Sequence, residues 1–201
     1  MFLSKLDIRN INRMKRQNLQ NFEFHFRSCV ISSKIINFLH NFKAYKLLLY
    51  SDFDKEVCLD DVFSFCVAHK KETYYPKVLG GEINFYKIEK KTDFSVGYYG
   101  ILEPKICNEN TKLMINNSFT YIIFVPGVAF DIFRNRVGFG KGYYDKFLSS
   151  IFFRKNIVRE NFFVIGVCYE FQFFKDETLN LLKSDYDFPM DLIITDKNIY
   201  C

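Results

Sequence analysis

Tryptophan is missing from the chain, although phenylalanine occurs 25 times. Set beside frequent Asn, Ile and Lys, that imbalance reads as coding bias rather than a functional device. Histidine is scarce, at three scattered residues, and the six cysteines fall at 29, 58, 66, 107, 168 and 201. They form no C-x-x-C pair and no zinc-ligand spacing, which leaves buried or incidental thiols of a reducing compartment. No run of 18 apolar residues and no apolar h-region occurs, so neither a membrane-spanning helix nor a signal peptide is expected. Internal repeats, low-complexity tracts and interdomain linkers are also missing. The expectation is one domain covering 1–201, soluble and cytoplasmic.

What is present is a globular composition. Hydrophobic residues make up 49% of the 201 residues and aromatics 19%, enough for a sizeable core and far from the disordered class. The net charge of +5 and pI of 8.8 suit polyanionic ligands. They are weak grounds for nucleic-acid binding, which needs a clustered basic patch and a higher pI.

The hydrophobic pattern predicts a helix over 3–20, with Leu3, Leu6, Ile8, Ile11 and Met14 as its apolar side and Lys5, Arg9, Arg13 and Arg16 at helical spacing. Arg13 and Arg16 read as surface charges. A second helix is expected over 27–41, and Lys46–Tyr50 reads as a buried parallel strand. A loop at 51–55 and a helix at 58–71 follow. Thr73–Val78 and Ile83–Ile88 alternate as strands about the Gly80-Gly81 turn. Thr92–Asn117 reads as irregular. Tyr121–Val125 is a second buried strand, 141–150 begins a helix, and Phe162–Tyr169 and Leu192–Thr195 are the last strands, with a helix near 176–184. Strands alternating with helices argue for an α/β fold whose largely parallel, mixed sheet is flanked by helices. Ligands in such folds bind beyond the carboxyl ends of the strands. The residues after Val125 and Glu56, after Tyr50, would open on that same edge.

The densest chemistry lies between Val125 and Leu148. Three of the nine glycines, Gly138, Gly140 and Gly142, fall within five residues, with Arg136 and Lys141 among them and Asp145 one helical turn later. Glycines let backbone N–H groups crowd an oxyanion. A guanidinium and an ammonium supply countercharge, and a nearby carboxylate suits Mg²⁺ bridging phosphate oxygens. These are parts of a nucleoside-triphosphate site, although a bare glycine-rich strand-to-helix turn is the plain alternative. The run is neither a Walker loop, since Gly142 follows Lys141, nor a dinucleotide fingerprint, since the spacing is G-x-G-x-G.

Pro126-Gly127-Val128-Ala129-Phe130-Asp131 and Arg136-Val137-Gly138-Phe139-Gly140-Lys141-Gly142-Tyr143-Tyr144-Asp145 closely resemble the signature of the 5-formyltetrahydrofolate cyclo-ligase family, also called 5,10-methenyltetrahydrofolate synthetases. Lys5-Leu6-Asp7-Ile8-Arg9 resembles that family's K-x-x-x-R helix, Pro76-Lys77 its strand end, and Gly100-Ile101-Leu102-Glu103-Pro104 its G-I-x-E-P segment. Asp187 to Thr195 resembles its C-terminal D-x-x-x-D-x-I-x-T. The resemblance runs in order from residue 5 to 195. It implies a Rossmann-like three-layer fold, ATP as cosubstrate, Mg²⁺ as cofactor, 5-formyltetrahydrofolate as substrate, and a monomer needing neither nucleic acid nor membrane. With functional residues beginning at Lys5, a removable transit peptide is not expected.

The resemblance also assigns roles. ATP would contact Lys5, Arg9 and the loop from Arg136 to Asp145, with Arg136, Lys141 and Tyr144 as catalytic groups. Folate would meet Phe53, Glu56, Phe139, Gly140, Lys141, Gly142 and Tyr143, and Mg²⁺ would take Asp145 and Asp187. A carboxylate at Glu56 suits the 2-amino and N3–H donors of a pterin; an exposed loop acid is its plain alternative. Phe53 either covers the pterin or packs in the core. Tyr144 either reaches the formyl group or packs on a strand. Lys77 is a candidate for the folate glutamate tail. Asp191 reads as a strand-entry cap, and Gln172 stands where the family has a glutamine beside the loop. Phe139, Cys58 and Tyr186 depart from the family pattern. They motivate a second reading, a folate- and nucleotide-binding protein without efficient chemistry. A basic nucleic-acid module on 1–27 is a third, lacking interleaved aromatics.

Overall fold

The apolar runs form the middle of one sheet. The computed structural model describes residues 3–42, 45–97, 100–106, 111–154, 157–176 and 187–201. Its helices are α1 (Lys5–Gln17), α2 (Asn21–Leu39), α3 (Asp60–Ala68) and α4 (Tyr143–Ser149). Its strands are β1 (Lys46–Leu48), β2 (Glu72–Leu79), β3 (Glu82–Ile88), β4 (Phe94–Val96), β5 (Leu102–Pro104), β6 (Tyr121–Pro126), β7 (Ala129–Asp131), β8 (Arg136–Val137), β9 (Phe162–Val167), β10 (Phe173–Phe174), β11 (Leu192–Ile194) and β12 (Ile199–Tyr200). The main sheet has seven strands in the order β12-β11-β9-β6-β1-β2-β3. The five from β11 to β2 are parallel, and antiparallel strands close both edges.

The pleat divides the core in two. Leu47, Leu49, Ile122, Phe124 and Ile165 point to the face covered by α2 and α3, where Ile31, Ile35, Leu39, Val62 and Cys66 meet them. Leu48, Ile123, Val125, Val164 and Ile193 point the other way, onto Leu148 of α4 and Ile151. Burial on both faces is why these strands read as continuous apolar runs. The outcome is the expected three-layer α/β architecture. The β2–β3 hairpin turns at Gly80 and Gly81, both with positive φ, as a two-residue turn requires.

Several boundaries differ from those expected. Helix α1 starts at Lys5 because Ser4 and Asp7 form a capping box, Ser4 Oγ accepting from the Asp7 amide at 3.2 Å and Asp7 from the Ser4 amide at 2.9 Å. It ends at Gln17 rather than 20. Helix α2 begins at Asn21, six residues before the expected 27, where Glu23 reaches back to the Gln20 amide at 3.4 Å. Helices α3 and α4 are shorter than expected at both ends, and the 46–50 strand stops at Leu48. The segment read as irregular holds the β4–β5 hairpin, and β7, β8, β10 and β12 are further strands of two or three residues. The helix expected near 176–184 lies almost wholly outside the described residues, as do Cys107 and Tyr186.

The orientation of α1 is the larger correction. Its buried residues are Ile8, Asn12 and Arg16, while Leu3, Leu6, Ile11 and Met14 are exposed. The polar face is turned inward because its partners are carbonyls and carboxylates of the strand-end loops; only Ile8 joins an apolar cluster, with Ala129 and Val137. Among the described cysteines none is paired, and burial pushes the Cys58 and Cys66 thiols up to about 12. No helix among the described residues is long and apolar enough to cross a membrane.

Candidate active site

Beyond the carboxyl ends of β1 and β6 three segments converge: the inward face of α1, the loop 51–59 and the glycine loop 138–142. The glycine loop is mounted on the β7–β8 hairpin. Buried Asp131 fixes that hairpin by accepting from the Asn135 backbone at 2.8 Å and its side-chain amide at 2.9 Å, while Arg134 takes φ 63°. Gln172 braces the preceding turn, donating to the Gly127 and Val128 carbonyls at 3.0 and 2.8 Å. It is thus a structural support of the Pro126–Asp131 motif.

Arg136 leaves β8 buried. Its Nη2 donates to Asp145 Oδ2 at 2.7 Å, its Nη1 to the Pro126 carbonyl at 3.3 Å, and its guanidinium lies 5.7 Å from the Tyr144 ring centre. Tyr144 therefore packs under a cation, and burial raises its hydroxyl well above the ordinary phenol range. The Phe188 amide donates to Asp145 Oδ1 at 3.4 Å, which sets Asp187 beside Asp145. Lys5 reaches Asp187 at 2.8 Å, across 182 residues of sequence. Arg9 Nε donates to the Gly138 carbonyl at 2.8 Å. Gly140 follows at φ 99°, and Lys141 is exposed, without an ion pair or side-chain hydrogen bond among the described residues.

Mg²⁺ fits this corner in chemistry. Asp145 and Asp187 are hard carboxylates, the second next in sequence to the Phe188 amide that reaches the first, and such an ion commonly takes one or two carboxylates with phosphate oxygens and water completing its shell. No group of three or more candidate ligands occurs among the described residues, so the protein alone offers a partial shell. Each carboxylate faces a cation, Arg136 or Lys5, that a phosphate could also engage.

On the other side of the loop lies Glu56, only 5% exposed, which rules out the exposed-acid alternative. It is delivered by two consecutive left-handed residues, Asp54 at φ 53° and Lys55 at φ 54°. Lys55 is held by the Gln17 and Leu19 carbonyls at the end of α1, at 2.9 and 2.5 Å. Glu56 Oε2 accepts from the Phe53 amide at 3.2 Å, and Oε1 stands 3.7 Å from Arg16 Nη1. Burial pushes Glu56 up to about 7, opposed by the Arg16 guanidinium and the Phe53 amide. Phe53 meets Phe139 edge-on, with ring centres 6.1 Å apart, so the two halves of the site touch.

Sequence reasoning placed Arg16 on the surface, and the structure corrects this: it is 1% exposed. Its Nη2 donates to Asp54 at 3.1 Å, and Arg13 reaches the same carboxylate at 2.9 Å. Burial acts to raise Asp54, but hydrogen bonds from Gln17 and Arg13 and the Arg16 charge hold it below the usual carboxylate range. The available signal was the spacing of Lys5, Arg9, Asn12 and Arg16 on one helical face. Lys77 is engaged by the Pro104 carbonyl at 2.9 Å, which brings the P-K and G-I-L-E-P segments together. Asp191 stands at the entry of β11, where its carboxylate accepts from the Val164 amide of β9 at 2.7 Å.

Known proteins resemble this chain over nearly its whole length. The family model described as the 5-formyltetrahydrofolate cyclo-ligase family matches residues 3–196. A protein of Schizosaccharomyces pombe named as a probable 5-formyltetrahydrofolate cyclo-ligase is 27% identical, over 99% of this chain and 98% of its own. The Haemophilus influenzae 5-formyltetrahydrofolate cyclo-ligase is 27% identical over 93% and 95%. The solved 5,10-methenyltetrahydrofolate synthetase of Aquifex aeolicus superposes with a TM-score of 0.76 at 34% identity, covering 97% of this chain and 91% of that one. A model match along nearly the whole length, and a solved relative of the same fold above 30% identity, place this chain in the 5-formyltetrahydrofolate cyclo-ligase family of enzymes.

Proposed function

We propose that this chain converts 5-formyltetrahydrofolate to 5,10-methenyltetrahydrofolate at the expense of ATP. The observation that carries the reading is the Phe53–Phe139 contact, which joins an anion-binding glycine loop to a buried carboxylate suited to a pteridine. In the proposed reaction the γ-phosphoryl group passes to the 5-formyl oxygen. N10 then attacks the activated carbon, closing the five-membered ring and giving up its proton, and phosphate departs with that oxygen.

The side chains divide the work. Glu56 accepts the pteridine N3–H and 2-amino donors, while Phe53 and Phe139 flank the ring system. Lys5, Arg9 and Lys141 supply countercharge to the phosphates, and the glycine-loop amides approach their oxygens. Arg136, held by Asp145, sets the shape of the loop and adds positive potential behind it. Asp145 and Asp187 would hold Mg²⁺, which when bound neutralises phosphate charge and orients the transferred group. Positioning and electrostatics supply most of the rate in such a site. This is a proposal for a single domain acting as a monomer in the cytoplasm.

The test is to mix the pure protein with ATP, Mg²⁺ and 5-formyltetrahydrofolate and follow the absorbance band of the methenyl product. An ATP-dependent rise is expected. Folate binding without any rise would leave the non-catalytic binding protein as the better reading.

A further inference from the structure

Arg16 is the most buried cation among the described residues, and its bonding is incomplete. Among the described residues only Nη2 is hydrogen bonded, to Asp54; Nε and Nη1 have no hydrogen-bond partner. Facing it, Glu56 Oε1 also lacks one. The 3.7 Å between Nη1 and Oε1 is too long for a hydrogen bond, yet short enough for strong attraction in a buried setting. Above the guanidinium, at 5.3 Å, lies the ring of Phe139, whose loop residues on either side are glycines. Buried polar atoms are rarely left unpaired, and two sets of them facing each other mark a place for a ligand's own polar edge.

We propose that Arg16 is a positioning residue for folate recognition: fixed by Asp54, it faces Glu56 and aims that carboxylate, whose Oε1 has no hydrogen bond among the described residues and is left for the N–H donors of the pteridine. This rests on the folate reading given above. The groups acting on Glu56 come from every neighbouring element. Arg16 on α1 favours its charge, as does the Phe53 amide. Asp52 and Asp54 oppose it. Tyr50 after β1 and Tyr144 on α4 are both raised by burial and stay neutral. Arg16 is therefore the cation that offsets part of the cost of burying the carboxylate.

The experiment is direct titration of 5-formyltetrahydrofolate, without ATP, by calorimetry from pH 6 to 9. Wild-type affinity is expected to fall as pH drops through about 7, where Glu56 takes up a proton. Glu56→Gln should abolish that dependence. Arg16→Gln should move the limb up by at least about one unit, giving at least roughly fivefold weaker binding at pH 7 that narrows toward pH 9. A uniform loss at every pH would mark a packing role and overturn the proposal, as would an unmoved limb. Should Arg16→Gln fail to fold, Arg16→Lys decides. An ammonium can serve Asp54 or Glu56 but cannot fork between them, so the limb should move part of the way. An unmoved limb in that variant overturns the proposal. Absence of wild-type binding would overturn the folate reading and the proposal with it; wild-type binding with unmoved variants overturns the proposal alone.

Discussion

Arg136 and Asp145, nine residues apart, meet at 2.7 Å beneath the glycine loop, with side chains 6% and 18% exposed. Asp145 thus has a structural partner besides any metal. Asp145→Ala leaves the buried guanidinium with the Pro126 carbonyl as its hydrogen-bond partner among the described residues. A loss of about 1–3 kcal/mol in unfolding free energy is expected, with turnover falling by at least about 100-fold. Asp145→Asn keeps an acceptor and should recover most of the stability but little turnover. Denaturant melts and the absorbance assay check both; full turnover in either variant would remove Asp145 from the metal assignment.

Lys5 and Asp187 tie α1 to the C-terminal segment at 2.8 Å, but both side chains are partly exposed, at 30% and 21%. Such a pair contributes less than about 1 kcal/mol. Lys5→Met should leave the melt almost unchanged and raise KM for ATP roughly tenfold, about the 1.4 kcal/mol of one charge-assisted contact. KM for folate should stay put. An equal rise in both would show that Lys5 acts through the shape of the site.

Much of this was legible in the sequence, for definite reasons. Leu47–Leu49 and Tyr121–Val125 are buried on both faces, so their continuous apolar runs announced the parallel strands. The glycine loop was legible because only a few chemistries use that density of glycine and charge. Helix α1 was misread because periodicity shows that two faces differ, not which one is buried. Its inward face carries Asn12 and Arg16, which meet Val128, Asp54 and Glu56, partners that come from distant sequence. Strands of two or three residues such as β8 and β10 carry no period, and their pairing is decided by the hairpin around Asp131 and by Gln172.

Gly140 sits at φ 99°, a conformation that side chains of L-residues rarely adopt. A Cβ there would lie 3.5 Å from the Arg9 guanidinium, an ordinary contact, so Gly140→Ala acts through backbone strain. A cost of about 1–2 kcal/mol and a Tm drop of a few degrees are expected, with weakened ATP binding as the loop relaxes. Gly138→Ala acts sterically, because its Cβ would fall 2.6 Å from Arg136 Nη1. The guanidinium must shift, disturbing its bonds to the Pro126 carbonyl and Asp145, and turnover should suffer more than in Gly140→Ala. Equal melts and rates for both variants and wild type would show the loop to be more compliant than its geometry implies.

Glu56 links stability to pH in the direction opposite to most carboxylates. Its folded value, about 7, lies above the ordinary 4.5, because burial outweighs the attraction of Arg16. The folded state therefore binds this proton more tightly than the unfolded chain. The stabilisation is fully present below about 4.5 and is lost as pH rises through about 7. Glu56→Gln removes the slope. At pH 8 the variant should be more stable than wild type, by up to about 3 kcal/mol on a shift of roughly 2.5 units. Near pH 4.5 the two should unfold alike. Folate affinity should weaken in the same variant and become independent of pH, so one substitution separates stability from recognition. Urea unfolding at the two pH values measures the difference. A Glu56→Gln protein less stable than wild type at pH 8 would mean that the Arg16–Glu56 attraction exceeds the cost of burial, reversing the balance argued here.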